Sequence, residues 1–163
     1  VADGQLLRVG RGLYSLPERE VHEHEALIQV AKRVSRGIVC LLSALSVHGL
    51  STQNPPDVWL ALPRTARSPQ LHWPPLKLVW WSGAALTSGI IERELDGTRV
   101  RLTSPARTVA DCFKHRRLVG IDVAVEALKD YRRQRAGSID ELLEAATVSR
   151  VSRVISPYLE AIL

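Results

Sequence analysis

The chain has 163 residues, 45% of them apolar and 24% charged, which suits one medium domain, or one domain with part of another, built around a real core. No uncharged apolar run reaches the ~20 residues that span a bilayer, and the N-terminus lacks the basic-then-apolar pattern of a signal peptide. The net charge of +5 is unevenly spread: six basic and six acidic side chains in residues 1–63, fourteen and seven in 64–135, two and four in 136–163. The central third therefore carries a positive field suited to polyanions, although many soluble domains are mildly basic.

Cys40 and Cys112 each lie inside an apolar helical pattern. Neither has a second Cys or His at ligand spacing, so both read as small buried hydrophobes in a reducing cytoplasm, with no zinc site and no disulfide expected. The chain starts at Val1 and holds no methionine, which raises the expectation of further residues upstream.

In chain order, Gln5–Val9 and Leu13–Leu16 are short apolar strands flanking Gly10-Arg11-Gly12. This pattern predicts a β-hairpin with Arg11 at its tip, and a lone hairpin must pack on something. Helical spacing of Leu27, Val30, Ala31 and Val34 predicts a helix from Val21 to about Val34, with Gly37 suited to its C-terminal cap. A second helix, from about Val39 to His48, is apolar nearly all round and ends at Gly49.

Strands follow. Val58–Leu62 is a continuous apolar run between prolines, as expected of a strand buried on both faces. Leu76–Trp81 is another, and Ile90–Leu95 and Thr98–Thr103 flank Asp96-Gly97, a strong hairpin signal. In the last strand Arg99 and Arg101 alternate with Val100 and Leu102, and they face Glu92 and Glu94 as possible cross-strand partners.

Residues 104–163 turn helical. Ser104-Pro105 opens one helix, Asp122 is placed as the cap of a second that runs to about Arg133, and Ser138–Glu141 is a capping box for a third. A last helical segment spans Val151–Leu163, with Pro157 expected to kink or split it. Strands first and helices afterwards predict an α+β fold with a mixed or antiparallel sheet and a C-terminal helical bundle.

The hairpin at 5–16 resembles the wing of a winged helix-turn-helix, in which basic residues meet the phosphate backbone, so Arg8 and Arg11 are the leading DNA contacts. Arg99, Arg101, Lys114, Arg116 and Arg117 form a second tier. For Lys114, Arg116 and Arg117 a plainer role is also open, because cations at a helix C-terminus complement its dipole.

Enzyme chemistry finds little footing. Arg107 and Asp111 are four apart on one helix and read as a structural ion pair or a tie to the sheet, with Thr108 bonding backbone. Gly137-Ser138 before Asp140 is a helix cap rather than a magnesium site. His22 and His24 point to different helix faces, and His48 reads as a satisfied core histidine. Asp111, Asp122, Glu126 and Asp130 do not converge by spacing. We expect no catalytic residues, no metal and no cofactor. Trp59, Trp73, Trp80 and Trp81 leave open a protein-interaction role, with Trp80 and Trp81 on opposite strand faces.

An ordered set of segments carries a family resemblance. Leu7-Arg8-Val9-Gly10-Arg11-Gly12-Leu13-Tyr14-Ser15-Leu16-Pro17, Ser43–Leu50, Val58–Arg64, Thr103–Cys112 and Ala124–Lys129 are similar, in order and spacing, to AbiEi-type antitoxins, with Thr103–Cys112 the closest match. The resemblance implies a wing of a truncated winged helix at 1–17 and an AbiEi-like C-terminal α+β domain at 18–163. It implies a repressor that binds inverted repeats in its own promoter DNA and counters a nucleotidyltransferase-like toxin of a type IV system, without necessarily touching it. The family's helices ahead of the wing, including the one that reads bases, do not appear in this sequence, so weak and sequence-indifferent DNA binding is expected of it.

Overall fold

A computed structural model describes residues 24–163. The hairpin expected at 5–16, with Arg8 and Arg11, and residues 21–23 of the expected first helix lie outside the described residues. Within them the fold is α+β, with a five-stranded mixed sheet and seven α-helices. We label the elements α1 (24–33), β1 (Ile38–Val39), α2 (Leu41–His48), β2 (Val58–Pro63), β3 (Leu76–Trp81), β4 (Ile90–Leu95) and β5 (Thr98–Thr103). The remaining helices are α3 (Pro105–Lys114), α4 (Arg116–Val119), α5 (Ile121–Gln134), α6 (Ile139–Val148) and α7 (Ser152–Ile162). A 3₁₀ turn at Gly83–Leu86 links β3 to β4.

The strand order is β3-β2-β1-β5-β4. The outer pair β2/β3 is parallel, β1 runs antiparallel to β2 and parallel to β5, and β4/β5 is the expected Asp96-Gly97 hairpin. Period-2 alternation divides the apolar residues between two cores. Val39, Val58, Leu60, Val100 and Leu102 meet Ala26, Leu27 and Val30 of α1 on one face. On the other, Ile38, Trp59, Ala61, Val79 and Trp81 meet the apolar sides of α2, α3, α5, α6 and α7. The sheet is thus the middle of three layers, and β2 is buried on both faces as its unbroken apolar run predicts.

Four local expectations need correction. The helix expected from Val39 begins instead at Leu41, because Ile38 and Val39 form the central strand: Val39 pairs with both Leu60 and Leu102. Leu41 makes the reversal in a left-handed conformation (φ 48°), a strained geometry for a branched side chain. Gly37 does not adopt the positive φ of a helix cap. Its lack of a side chain lets Leu60 approach, since a Cβ there would sit 2.8 Å from Leu60 Cδ1. Asp122 is in the first turn of α5 rather than at its cap, which is Gly120; a carboxylate there still complements the helix dipole. Finally, Pro157 does not split α7. Pro157 and Arg153, one turn earlier, are both exposed, so the carbonyl left without an amide partner can face water.

The helix starts otherwise follow their sequence signals. Ser104 Oγ accepts from the Arg107 amide at 3.2 Å with Pro105 in the first turn. At α6, Ser138 and Glu141 exchange both bonds of the capping box, at 3.0 and 2.8 Å.

Candidate nucleic-acid interface

The segment Thr103–Cys112 forms the inner frame on which the surface charges are mounted. Thr103 ends β5 with its hydroxyl 2.6 Å from that of Thr108, and Thr108 Oγ1 donates to the Ser104 carbonyl at 2.6 Å. His48 Nε2 donates to the Thr103 carbonyl at 2.8 Å, which makes it the satisfied histidine expected from its apolar helix. Burial lowers the His48 pKa below its ordinary 6.5, against the raising effect of that backbone bond.

One turn on, Arg107 is 3% exposed and Asp111 1%. Arg107 Nε donates to Asp111 Oδ1 at 3.0 Å, and its Nη1 donates to the carbonyls of Ala85 (3.0 Å) and Ser88 (2.6 Å). The guanidinium also lies 4.5 Å from the Trp81 ring centroid, within cation–π range. Asp111 Oδ1 further accepts from Ser149 Oγ at 3.1 Å. A single buried ion pair therefore ties α3 to the 3₁₀ turn, to β3 and to the end of α6, as the structural reading of Arg107 and Asp111 predicts. Ser149 is not legible as a member, because it lies far along the chain and only α6 packing on α3 brings it in.

Gly89 belongs to the same frame. Its φ of 67° and a would-be Cβ only 2.9 Å from Arg107 Cβ require glycine at this turn. Burial raises the Asp111 carboxyl above the ordinary aspartate range, with the Arg107 charge acting against it. Burial, reinforced by Asp111, likewise raises the thiols of Cys40 and Cys112. Both are free and fully enclosed, as expected of small hydrophobic fillers.

Four of the five second-tier cations, Arg99, Lys114, Arg116 and Arg117, are on the outside. Arg99 and Arg101 project from one face of β5, opposite to Val100 and Leu102. The ladder sets Glu94 against Arg99 and Glu92 against Arg101, and the pair that forms is the diagonal one, Arg99 Nε to Glu92 Oε1 at 3.5 Å, with side chains 69% and 54% exposed. Arg101 is half-buried. Lys114 closes α3, while Arg116 and Arg117 occupy the short α4; all three are exposed. Arg116 Nη1 donates to the Phe113 carbonyl at 2.8 Å, so it does the carbonyl-capping work of the plainer role. Beneath them His115 has its pKa lowered by burial and by the nearby Lys114 and Arg107 charges. The candidates thus form two groups, one on the β4/β5 hairpin and one at the α3–α4 junction.

Among the described residues Asp111, Asp122, Glu126 and Asp130 do not gather into an acidic cluster, in line with their spacing. Asp122, Glu126 and Asp130 lie at successive turns of α5 and line one open groove of about 650 Å³ with Thr52 and Tyr158. Thr52 Oγ1 donates to Glu126 at 3.4 Å, and Asp130 pairs with Arg133. Among the described residues, no three His, Cys, Asp or Glu side chains are grouped as metal ligands, and no helix is long and apolar enough to cross a membrane. Compared with known proteins, the chain matches no family model, and no curated protein is significantly similar to it.

Proposed function

We propose that this protein is a DNA-binding transcriptional repressor and antitoxin of the AbiEi type, acting without catalysis or cofactor. In this reading residues 1–17 are the wing of a winged helix and residues 104–163 are the helical bundle of the C-terminal domain. Arg8 and Arg11 contact phosphates first, with Arg99, Arg101, Lys114, Arg116 and Arg117 adding to the field. The partners are promoter DNA and, functionally, a nucleotidyltransferase-like toxin. The observation that carries the reading is the outward placement of cations from the basic central third: Arg99, Lys114, Arg116 and Arg117 are all exposed. The groups of chemical interest, Asp111, Cys40 and Cys112, are enclosed instead. The resemblance centred on Thr103–Cys112 supplies the class.

A second reading, a non-enzymatic protein-interaction domain with an incidental basic face, draws on the internal engagement of two of these cations, Arg99 with Glu92 and Arg116 with the Phe113 carbonyl. Titrating the 163-residue chain against a fluorescent DNA duplex over a range of salt concentrations separates the two. A repressor face binds at low salt and loses affinity steeply, with a log–log slope of about −0.9 per phosphate neutralised. Arg8→Ala and Arg11→Ala should each make that slope shallower. Absence of binding at low salt favours the interaction domain. Co-expression with a nucleotidyltransferase-like toxin tests the antitoxin half, with restored growth expected.

A further inference from the structure

Beyond the two groups above, the remaining cations of the sheet half are not scattered. From Ala26 to Ile91 the sequence holds one carboxylate, Asp57, against Lys32, Arg33, Arg36, Arg64, Arg67 and Lys77. The topology gathers five of these cations. α1 ends at Arg33, and the turn after it, with Arg36, leads into the start of β1. β1 runs antiparallel to β2 with Ile38 opposite Ala61, so the loop after β2, with Arg64 and Arg67, lies at the same end of the sheet. The two segments meet there. Arg36 Nη2 donates to Thr65 Oγ1 at 3.5 Å, and the Arg64 amide donates to the Trp81 carbonyl at 3.1 Å. β5 is parallel to β1 and starts at this end too, bringing Arg99 together with Glu94 and Asp96 of its hairpin. Asp57 and Lys77 belong to the opposite end, where β2 and β3 begin. Lys32, Arg33, Arg36, Arg64 and Arg67 are all exposed, and among the described residues none of them makes an ion pair. Lys32 and Arg33 complement the dipole of α1. Arg64 and Arg67 lie on a strand-to-strand loop, so that plainer role does not account for them.

We propose that this rim is a second phosphate-contacting surface, which holds the backbone of duplex DNA; the inference rests on the DNA-binding reading above. Charge complementarity selects the occupant. Four of the five cations are arginines, whose planar donors match phosphate oxygens. They are spread over a helix end, a turn and a loop, an arrangement that suits a line of phosphates better than one small anion. Contacts of this kind position a duplex without reading its bases, so the rim adds affinity that is indifferent to sequence.

Titration of the 163-residue chain with a fluorescent duplex of arbitrary sequence, over a range of salt concentrations, tests the rim. In the triple variant Arg36→Gln, Arg64→Gln, Arg67→Gln the log–log slope should be shallower by up to about 2.7, with binding at low salt at least about tenfold weaker. A matched triple, Arg132→Gln, Arg150→Gln, Arg153→Gln, removes the same charge from exposed positions on the helical side and should leave the slope nearly unchanged. Equal losses in both triples, or a parent-like slope in a rim triple that unfolds cooperatively, overturn the rim and leave the roles of Arg8 and Arg11 standing. If the rim triple fails to fold, Arg67→Glu decides the matter from one exposed loop position, since a slope identical to that of the parent overturns the proposal. A parent chain that binds no duplex at low salt overturns the repressor reading and the rim with it. Tighter binding to polyglutamate than to a duplex of equal charge overturns DNA as the occupant.

Discussion

Arg107 and Arg99 mark the two extremes of what an arginine does in this fold. Each has a carboxylate partner. Arg107 is sealed from solvent, with donors committed to Asp111 and to two carbonyls, and it spans three elements. Arg99 holds Glu92 at 3.5 Å with most of both side chains in water. The lesson is that charge alone does not mark function here, because burial decides whether a guanidinium holds the frame or remains available to a polyanion.

The comparison breaks most visibly at the buried pair. Arg107→Ala or Asp111→Ala strands a buried charge and should cost about 3–5 kcal/mol of unfolding free energy. Replacing both, as Arg107→Met with Asp111→Leu, should recover much of that loss in urea unfolding, since the expensive state is one unpaired charge. If each single alanine substitution is neutral, the pair does not tie α3 to its neighbours. Gly89→Ala attacks the same frame from the loop. It needs a positive φ and collides with Arg107 Cβ, so a loss of roughly 1–3 kcal/mol is expected in the same assay.

The histidines of the frame add a pH dependence of smaller size. Burial lowers the pKa of both His48 and His115 from the ordinary 6.5, so the folded state resists a proton that the unfolded chain accepts. Their contribution is complete above pH 6.5 and is lost as pH falls from there through the lowered folded-state values. The urea midpoint should accordingly drop between pH 7.5 and 5, and His48→Gln should flatten that drop. An unchanged slope in His48→Gln would show that its ring is not held neutral by the frame.

Much of this frame is legible in the sequence, and the reasons are local. Ser104-Pro105, the Ser138–Glu141 box and Asp96-Gly97 state their geometry within four residues, and the four-residue spacing of Arg107 and Asp111 places them on one helical face. The central strand is not legible. Ile38 and Val39 continue the apolar run of α2, and only pairing with Leu60 and Leu102 from elsewhere in the chain makes them β. Gly37 misleads for a related reason, since its close approach to Leu60 is a tertiary fact. Of the candidate interface, the exposure of Arg99 on β5 follows from strand alternation. The diagonal Arg99–Glu92 pairing and the carbonyl-bound Arg116 depend on register and on the α3–α4 turn.

The smallest expected effect on stability is also the sharpest test of function. In the double variant Arg99→Ala, Arg117→Ala, at two exposed positions, unfolding free energy should stay within about 0.5 kcal/mol of the parent, as for exposed charges generally. The decisive quantity is its salt dependence of duplex DNA binding. The account predicts a log–log slope shallower by up to about 0.9 for each phosphate that the variant no longer neutralises, and a slope identical to that of the parent chain would contradict it.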